Sequence, residues 1–122
     1  MYYYNVYTSI KFINHASVVV SDGNISILSD PWFSGDAFHR GWNLLHETSD
    51  QDIKKILQEI THIWISHEHP DHFSISFFKN YSEIIKKNSI KILFQKTNDK
   101  RVFKSLSSLD LNIQELEFNK TL

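Results

Sequence analysis

Short apolar runs separated by turn residues make up the first quarter of the chain. Residues 10–14, 16–21 and 25–29 are rich in β-branched and aromatic side chains, a composition typical of strands. The sequence Asp-Gly-Asn at 22–24 lies between the last two runs and is a hairpin signal. The pattern therefore predicts a small antiparallel sheet at the start of the chain.

From residue 49 the hydrophobic positions follow a different period. Ser49 followed by Asp52 is a capping signal, and the apolar residues of 53–60 then repeat at helical spacing. The nearly apolar run 61–66 is suited to a buried strand. This stretch therefore predicts an amphipathic helix that leads into a strand.

The same alternation continues to the end of the chain. Helical spacing returns over 77–88, residues 90–94 predict another strand, and a helix over 98–107 precedes a terminal strand near Leu116 and Phe118. Alternating strands and helices are typical of α/β domains. We expect one mixed sheet with its helices mainly on one face and an apolar surface on the other.

Residues 30–48 follow neither period and predict a long irregular loop. Loops of this length are usually functional or disordered, and four aromatic residues argue against disorder: Trp32, Phe33, Phe38 and Trp42. Trp32, Phe38 and Trp42 either line a substrate pocket or pack the loop onto the sheet. Packing is the more common use of such residues.

Composition limits the classes of function. The chain has 122 residues, the length of a single domain, with 13 basic and 14 acidic residues and a net charge of -1. It therefore shows no excess of basic charge that would attract nucleic acid.

Residues 1–5 lack the features of an export signal and no apolar run is long enough to span a membrane, so we expect a soluble, cytoplasmic protein. Cysteine is absent, so a metal would need His, Asp or Glu ligands.

Three histidines and an aspartate occur within residues 67–72, directly after the predicted strand 61–66. Side chains two apart on an extended backbone point the same way, so His67 and His69 can reach one cation. Asp71 and His72 then project from the following turn. Imidazole and carboxylate are suitable zinc ligands, and the spacing suits two ions. A histidine-rich surface loop is the alternative, but chance rarely produces this pattern.

Other polar residues are candidates for supporting roles. A catalytic zinc generally needs three protein ligands and a water, and His15, His39 or His46 could supply a third, although structural histidines are more common. His62 is expected to be structural and Glu68 to be solvated. Asp30, just before Pro31, either orients a ligand histidine through its second ring nitrogen or initiates a turn.

The pattern HxHxDH at 67–72 resembles the signature of the metallo-β-lactamase-fold hydrolases. Residues 14–19 and 28–33 are similar to the GHAS and DPW elements of one branch, with Asn14 in place of the usual glycine. That branch includes proteins similar to CMP-N-acetylneuraminate hydroxylase and to N-acylphosphatidylethanolamine phospholipase D. Gly41, Trp42 and residues 97–103 favour the former.

The resemblance implies the amino-terminal half of an αββα sandwich, so we expect residues 1–122 to form a single partial domain. It assigns His67 and His69 to a first metal and Asp71 and His72 to a second, with Asp30 and His15 supporting the ligands. A third histidine, a bridging aspartate and a last histidine normally come from a second half. Residues 111–122 contain neither residue type, which favours a fragment.

The function implied is that of a metal-dependent hydrolase acting on an ester, amide or phosphoester. Zinc is the expected metal, with manganese and iron left open, and Asp71 is the candidate catalytic residue because it could orient the attacking water. The substrate class, small molecule or lipid-like, stays open. The alternatives are an inactive remnant, a metal-binding or interaction module, and a nuclease, which would need a basic groove. The apolar sheet face predicts self-association or a complementing second half.

Overall fold

The computed structural model describes residues 7–122, so residues 1–6 lie outside the described part, including the stretch 1–5 for which the sequence predicted no export signal. It contains six strands and three helices in that range: β1 Ser9–Asn14, β2 Ser17–Ser21, β3 Ser26–Ser29, α1 Asp50–Glu59, β4 His62–Ile65, α2 Ile75–Lys87, β5 Lys91–Gln95, α3 Arg101–Ser107 and β6 Ile113–Leu116. No helix among these residues is long and apolar enough to cross a membrane.

All six strands form one mixed sheet in the order β1-β2-β3-β4-β5-β6. β1, β2 and β3 are antiparallel, which confirms the predicted opening sheet, and β3 to β6 are parallel. The hairpin between β2 and β3 is closed by Asp22, whose Oδ1 accepts from the backbone N–H groups of Asn24 and Ile25 at 2.9 and 2.8 Å. Gly23 supplies the left-handed backbone of that turn, with φ 94°.

The three helices cover one face of the sheet. Connections between parallel strands through a helix are right-handed. Because the strand order advances in one direction from β3 to β6, each connecting helix lies on the same face of the sheet. One row of paired strand residues faces the helices: Val19, Leu28, Ile63, Ile92 and Ile113. This row packs in a single core with buried residues of the helices: Ile53, Ile56, Leu57, Phe77, Phe78, Ile85, Val102 and Leu106.

Local signals explain where the elements begin and end. α1 starts as predicted, because Ser49 Oγ accepts from the Asp52 backbone N–H at 3.1 Å. α3 starts at Arg101 rather than at residue 98, since the Asp99 carboxylate accepts from the Arg101 backbone N–H and forms a turn before the helix. Phe118 was wrongly placed in the terminal strand: β6 ends at Leu116 and Phe118 is exposed.

The opposite face of the sheet carries no helix within the described residues. Strand register places a series of apolar residues on it, among which Ile10, Phe12, Val20 and Trp64 are exposed and Leu93 is buried. Its polar residues include His62 and Lys91. An exposed apolar sheet face of this kind usually contacts another layer.

We expect this face to bind a hydrophobic dye and to promote association of the purified chain. Phe12→Gln with Trp64→Gln should lower dye fluorescence and shift the sedimentation profile toward monomer, because both changes remove exposed apolar area. Leu45→Gln, at a fully exposed loop residue, is the control and should change neither readout. A monodisperse chain that binds no dye would contradict this prediction.

Tyr81 joins α2 to the first turn of α1 by donating its hydroxyl to Asp50 Oδ1 at 2.7 Å. Partial burial, together with this hydrogen bond, raises the pKa of Tyr81 to about 12 from 10.0. The folded state therefore favours the neutral phenol. The hydroxyl of Tyr81 therefore contributes its full stabilisation below pH 10. This stabilisation is lost as the pH rises through the pKa of Tyr81 in the folded chain.

Tyr81→Phe should therefore be less stable than the unaltered chain at neutral pH, and the difference in free energy of unfolding should disappear between pH 10 and about 12. Denaturant unfolding of both proteins in the same buffers measures this difference. A difference that stays constant across that interval would show that the hydroxyl makes no such contact.

Candidate metal centre

The carboxyl edge of the parallel strands gathers the candidate site residues. β3 and β4 run parallel, so Asp30 after β3 and the motif after β4 leave the sheet side by side. β2 is antiparallel to β3, which brings the β1–β2 turn to the same edge, where Ser17 Oγ donates to the Asp30 carbonyl at 2.7 Å. Open α/β sheets bind ligands at this edge.

Asp30 is a buried carboxylate, 4% exposed, that holds the start of the motif. Its Oδ1 accepts from the backbone N–H of Ser66 at 2.7 Å, and its Oδ2 accepts from the Ser66 hydroxyl at 2.6 Å. His72 Nδ1 lies 2.8 Å from the same Oδ2. These contacts favour orientation of a histidine over the initiation of a turn. The role of Ser66 was missed, although its place directly before the motif was a signal.

A tight turn brings the motif histidines together. The His69 carbonyl accepts from the backbone N–H groups of His72 at 2.9 Å and Phe73 at 2.7 Å. The ring centre of His67 lies 4.7 Å from that of His69 and 4.1 Å from that of His72. His67 Nδ1 is 2.8 Å from Ser66 Oγ, so its Nε2 stays available for another contact.

Asp71 is a second buried carboxylate, and it lies between two imidazoles. Its Oδ2 is 3.0 Å from His15 Nε2 and 3.3 Å from His72 Nε2. Burial disfavours the charged form of Asp71, but the hydrogen bond of His15 and the attraction of His72 outweigh burial and hold the pKa of this carboxyl below 3.8. Asp71 is therefore an anion at neutral pH.

Within the described residues, one set of three donors has all its ligand atoms within 4.8 Å of one another: His15, Asp71 and His72. Of the four ligands predicted from the sequence, this set of donors contains two, Asp71 and His72. His67 lies beside the His72 ring and His69 lies beside His67, but they do not complete such a set. The pairing of His67 with His69 around a first ion therefore stays a prediction, as does a catalytic role for Asp71.

The chemistry of these donors fits a divalent metal ion. His72 Nδ1 faces the Asp30 carboxylate at 2.8 Å, so its Nε2 lies on the side of Asp71, 3.3 Å from Oδ2. A carboxylate behind a ligand imidazole is the usual arrangement at metal sites, because it fixes the tautomer and the ring orientation. Neutral imidazole and carboxylate suit zinc, manganese and iron.

The remaining candidate histidines lie elsewhere. His39 and His46 are in exposed parts of the long loop, and neither joins the donor set found in residues 7–122. His62 lies on the helix-free face, with Nδ1 2.7 Å from Thr61 Oγ1. Burial, followed by repulsion from Lys91, lowers the pKa of His62.

Glu68 is exposed, as expected, but it also makes a contact that the sequence did not indicate. Its Oε1 accepts from the Arg101 guanidinium at 3.3 Å, and that guanidinium also donates to Asp99 Oδ2. Exposed ion pairs of this kind contribute little to stability. Glu68 is therefore separate from the donor set.

The loop aromatics differ in burial. Trp32 is 2% exposed and packs in the interior. Phe38 and Trp42 are exposed and lie 5.0 Å apart between ring centres, with Phe38 6.0 Å from His69 and Trp42 6.2 Å from His15. These two side chains border the candidate centre.

A sheet covered by helices on one face, with histidine and aspartate donors at its carboxyl edge, defines a fold of the metallo-β-lactamase type. The model of the β-lactamase superfamily domain matches residues 9–121. The chain therefore belongs to this superfamily, which confirms the family resemblance of the motif.

Two curated relatives are cytidine monophosphate-N-acetylneuraminic acid hydroxylases. That of Xenopus laevis is 38% identical over 88 residues, which is 72% of this chain and 14% of the relative. That of Danio rerio is 37% identical over 75 residues, which is 62% of this chain and 12% of the relative. The chain thus spans a small part of the length of the curated relatives that it matches.

Solved structures confirm the α/β fold. The diiron β-hydroxylase CmlA of Streptomyces venezuelae is 21% identical with a TM-score of 0.64, over 94% of this chain and 22% of that one. A protein of Veillonella parvula, described as a possible metal-dependent hydrolase, is 22% identical with a TM-score of 0.58, over 93% of this chain and 44% of that one. At these identities the likeness concerns the fold alone.

Asp30→Asn should weaken metal binding by ~10- to 100-fold, because the amide cannot accept from both Ser66 and His72 as the carboxylate does. Leaving a buried donor unpaired should also cost about 1–3 kcal/mol of stability. Calorimetric zinc titration and denaturant unfolding measure the two effects. Asp36→Asn, at an exposed position of the same loop, is the control, and equal effects of the two changes would contradict the role of Asp30.

Proposed function

We propose that this chain carries the HxHxDH portion of a zinc-dependent hydrolase of the metallo-β-lactamase fold. The observation that carries the proposal is the place of His72 Nε2, 3.3 Å from the anionic Asp71, with the ring fixed from behind by buried Asp30. Two carboxylates buried at one edge cost desolvation energy, of which the surrounding hydrogen bonds offset a part. A bound cation would offset that cost.

Each residue has a distinct task in this proposal. A bound divalent ion would supply a water whose pKa is lowered toward neutrality. Asp71 would contribute negative charge and orient a proton of that water, and Asp30 would keep the Nδ1 proton of His72 in place. His67 and His69 would hold the first ion, as the family resemblance implies.

The surroundings favour a small substrate group near the motif. A cleft of about 270 Å³ borders His67 and His69, and its other walls include Phe94, Thr97 and Val102. Clefts that enclose a whole small molecule are usually ~300–1,000 Å³. This chain alone would therefore hold part of a substrate, and exposed Phe38, whose ring centre lies 6.0 Å from that of His69, offers an apolar contact near it.

A second candidate function is iron-dependent hydroxylation. The curated relatives are named as hydroxylases, and one structural neighbour is named as a diiron enzyme. Imidazole and carboxylate donors suit iron as well as zinc. Metal analysis of the protein purified without added metal separates these candidates: zinc would favour the hydrolase, and iron would favour the hydroxylase.

The hydrolase proposal is tested by zinc titration and by assays on chromogenic ester and phosphodiester substrates. We expect chelator-sensitive zinc binding with little turnover, because each ion has few protein ligands on this chain. His67→Ala and His69→Ala should each abolish binding at the first ion. Glu68→Ala is the matched control within the motif and should leave binding unchanged, since Glu68 pairs with Arg101 at the surface.

Two outcomes would contradict the proposal. Absence of zinc, manganese and iron binding would favour an inactive remnant or an interaction module. Equal losses from Glu68→Ala and His67→Ala would show that the motif histidines are not ligands.

A further inference from the structure

The number of ligands on the second ion poses a specific question. A catalytic zinc usually has three protein ligands and one open position. The family resemblance supplies only Asp71 and His72 from this chain. The fold, however, brings a third nitrogen to the same carboxylate from the β1–β2 turn, 56 residues away in sequence from Asp71.

Two of the three distances among these donors match those of a coordination shell. His15 Nε2 and His72 Nε2 lie 3.0 and 3.3 Å from Asp71 Oδ2, and all three ligand atoms lie within 4.8 Å of one another. Two ligands bound tetrahedrally to zinc at about 2.0–2.1 Å are separated by about 3.3 Å. The donors therefore need little rearrangement to share one ion.

We propose that His15 Nε2 is a third protein donor to the ion bound by Asp71 and His72. This inference rests on the proposed metal centre but adds a ligand that lies outside the HxHxDH motif. In the bound form the neutral His15 ring carries its proton on Nδ1, which frees Nε2 to coordinate. The ion would then have two imidazoles, one carboxylate and room for a water.

The β1–β2 turn holds His15 in a suitable position before any ion binds. Asn14 Oδ1 accepts from the His15 backbone N–H at 2.8 Å, and Asn14 Nδ2 donates to the His46 carbonyl at 3.0 Å and to Thr48 Oγ1 at 2.9 Å. The His15 ring also packs edge-on against buried Trp32 at 5.1 Å between centres. A donor fixed in this way loses little entropy when it binds a metal.

The competing interpretation is that His15 only donates a hydrogen bond to Asp71 and positions it. Glutamine at position 15 separates the two roles, because its amide N–H₂ group can occupy the place of the imidazole Nε2 and donate to Asp71 but is a poor zinc ligand. Alanine removes both functions. His39→Gln makes the same chemical change at an exposed loop position and serves as the control.

Calorimetric zinc titration of the full chain should give a binding event that weakens by at least ten-fold in both His15→Ala and His15→Gln, with His39→Gln unchanged. Circular dichroism of the metal-free proteins verifies that each variant is folded. Wild-type affinity in His15→Gln would reduce His15 to a positioning residue and overturn the inference. Wild-type affinity in His15→Ala would also overturn it while leaving the proposed function intact.

A zinc-loaded crystal structure of the unaltered chain gives a readout that does not depend on the variants folding. Anomalous density within about 2.0–2.1 Å of His15 Nε2 would support the assignment. Zinc bound to Asp71 and His72 with His15 Nε2 beyond bonding distance would overturn the inference alone. A chain that binds no metal in either experiment would overturn both this inference and the proposed function.

Discussion

The buried carboxylate of Asp30 is the interaction on which the candidate centre depends. A charge removed from water is costly unless hydrogen-bond donors replace the solvent, and Asp30 receives three: the N–H and the hydroxyl of Ser66 and the Nδ1 of His72. Its backbone is in the left-handed region, with φ 38°, which adds about 1–3 kcal/mol of strain. The charge-assisted bonds offset that strain and tie the end of β3 to the loop after β4.

The topology of the sheet places these groups at one edge and leaves one face open. The change from antiparallel to parallel pairing occurs at β3, so this strand has the β1–β2 turn on one side and the motif on the other. Because successive crossovers have one hand, the helices cover one face and apolar residues such as Phe12 and Trp64 remain exposed on the other. The donor set and the open face are therefore consequences of one strand order.

Local chemistry made most of the fold predictable. The cap at Ser49, the turn at 22–24 and the spacing within 67–72 involve neighbours in sequence, so their patterns identify helix, hairpin and motif directly. The family resemblance placed His15 near the ligands, but local patterns did not indicate its contact with Asp71, because that contact depends on the register of strands across 56 residues. The prediction that Phe118 lies in a strand was wrong because it relied on the apolar character of one residue. In the structure β6 ends at Leu116.

The long segment between β3 and β4 makes the candidate centre a junction between distant parts of the chain. Asp30 reaches Ser66 across 36 residues, and His15 reaches Asp71 across 56. Closing loops of this length costs chain entropy. An ion that binds the closed arrangement and not the unfolded chain would therefore offset part of that cost, and the midpoint of unfolding would rise with the concentration of metal.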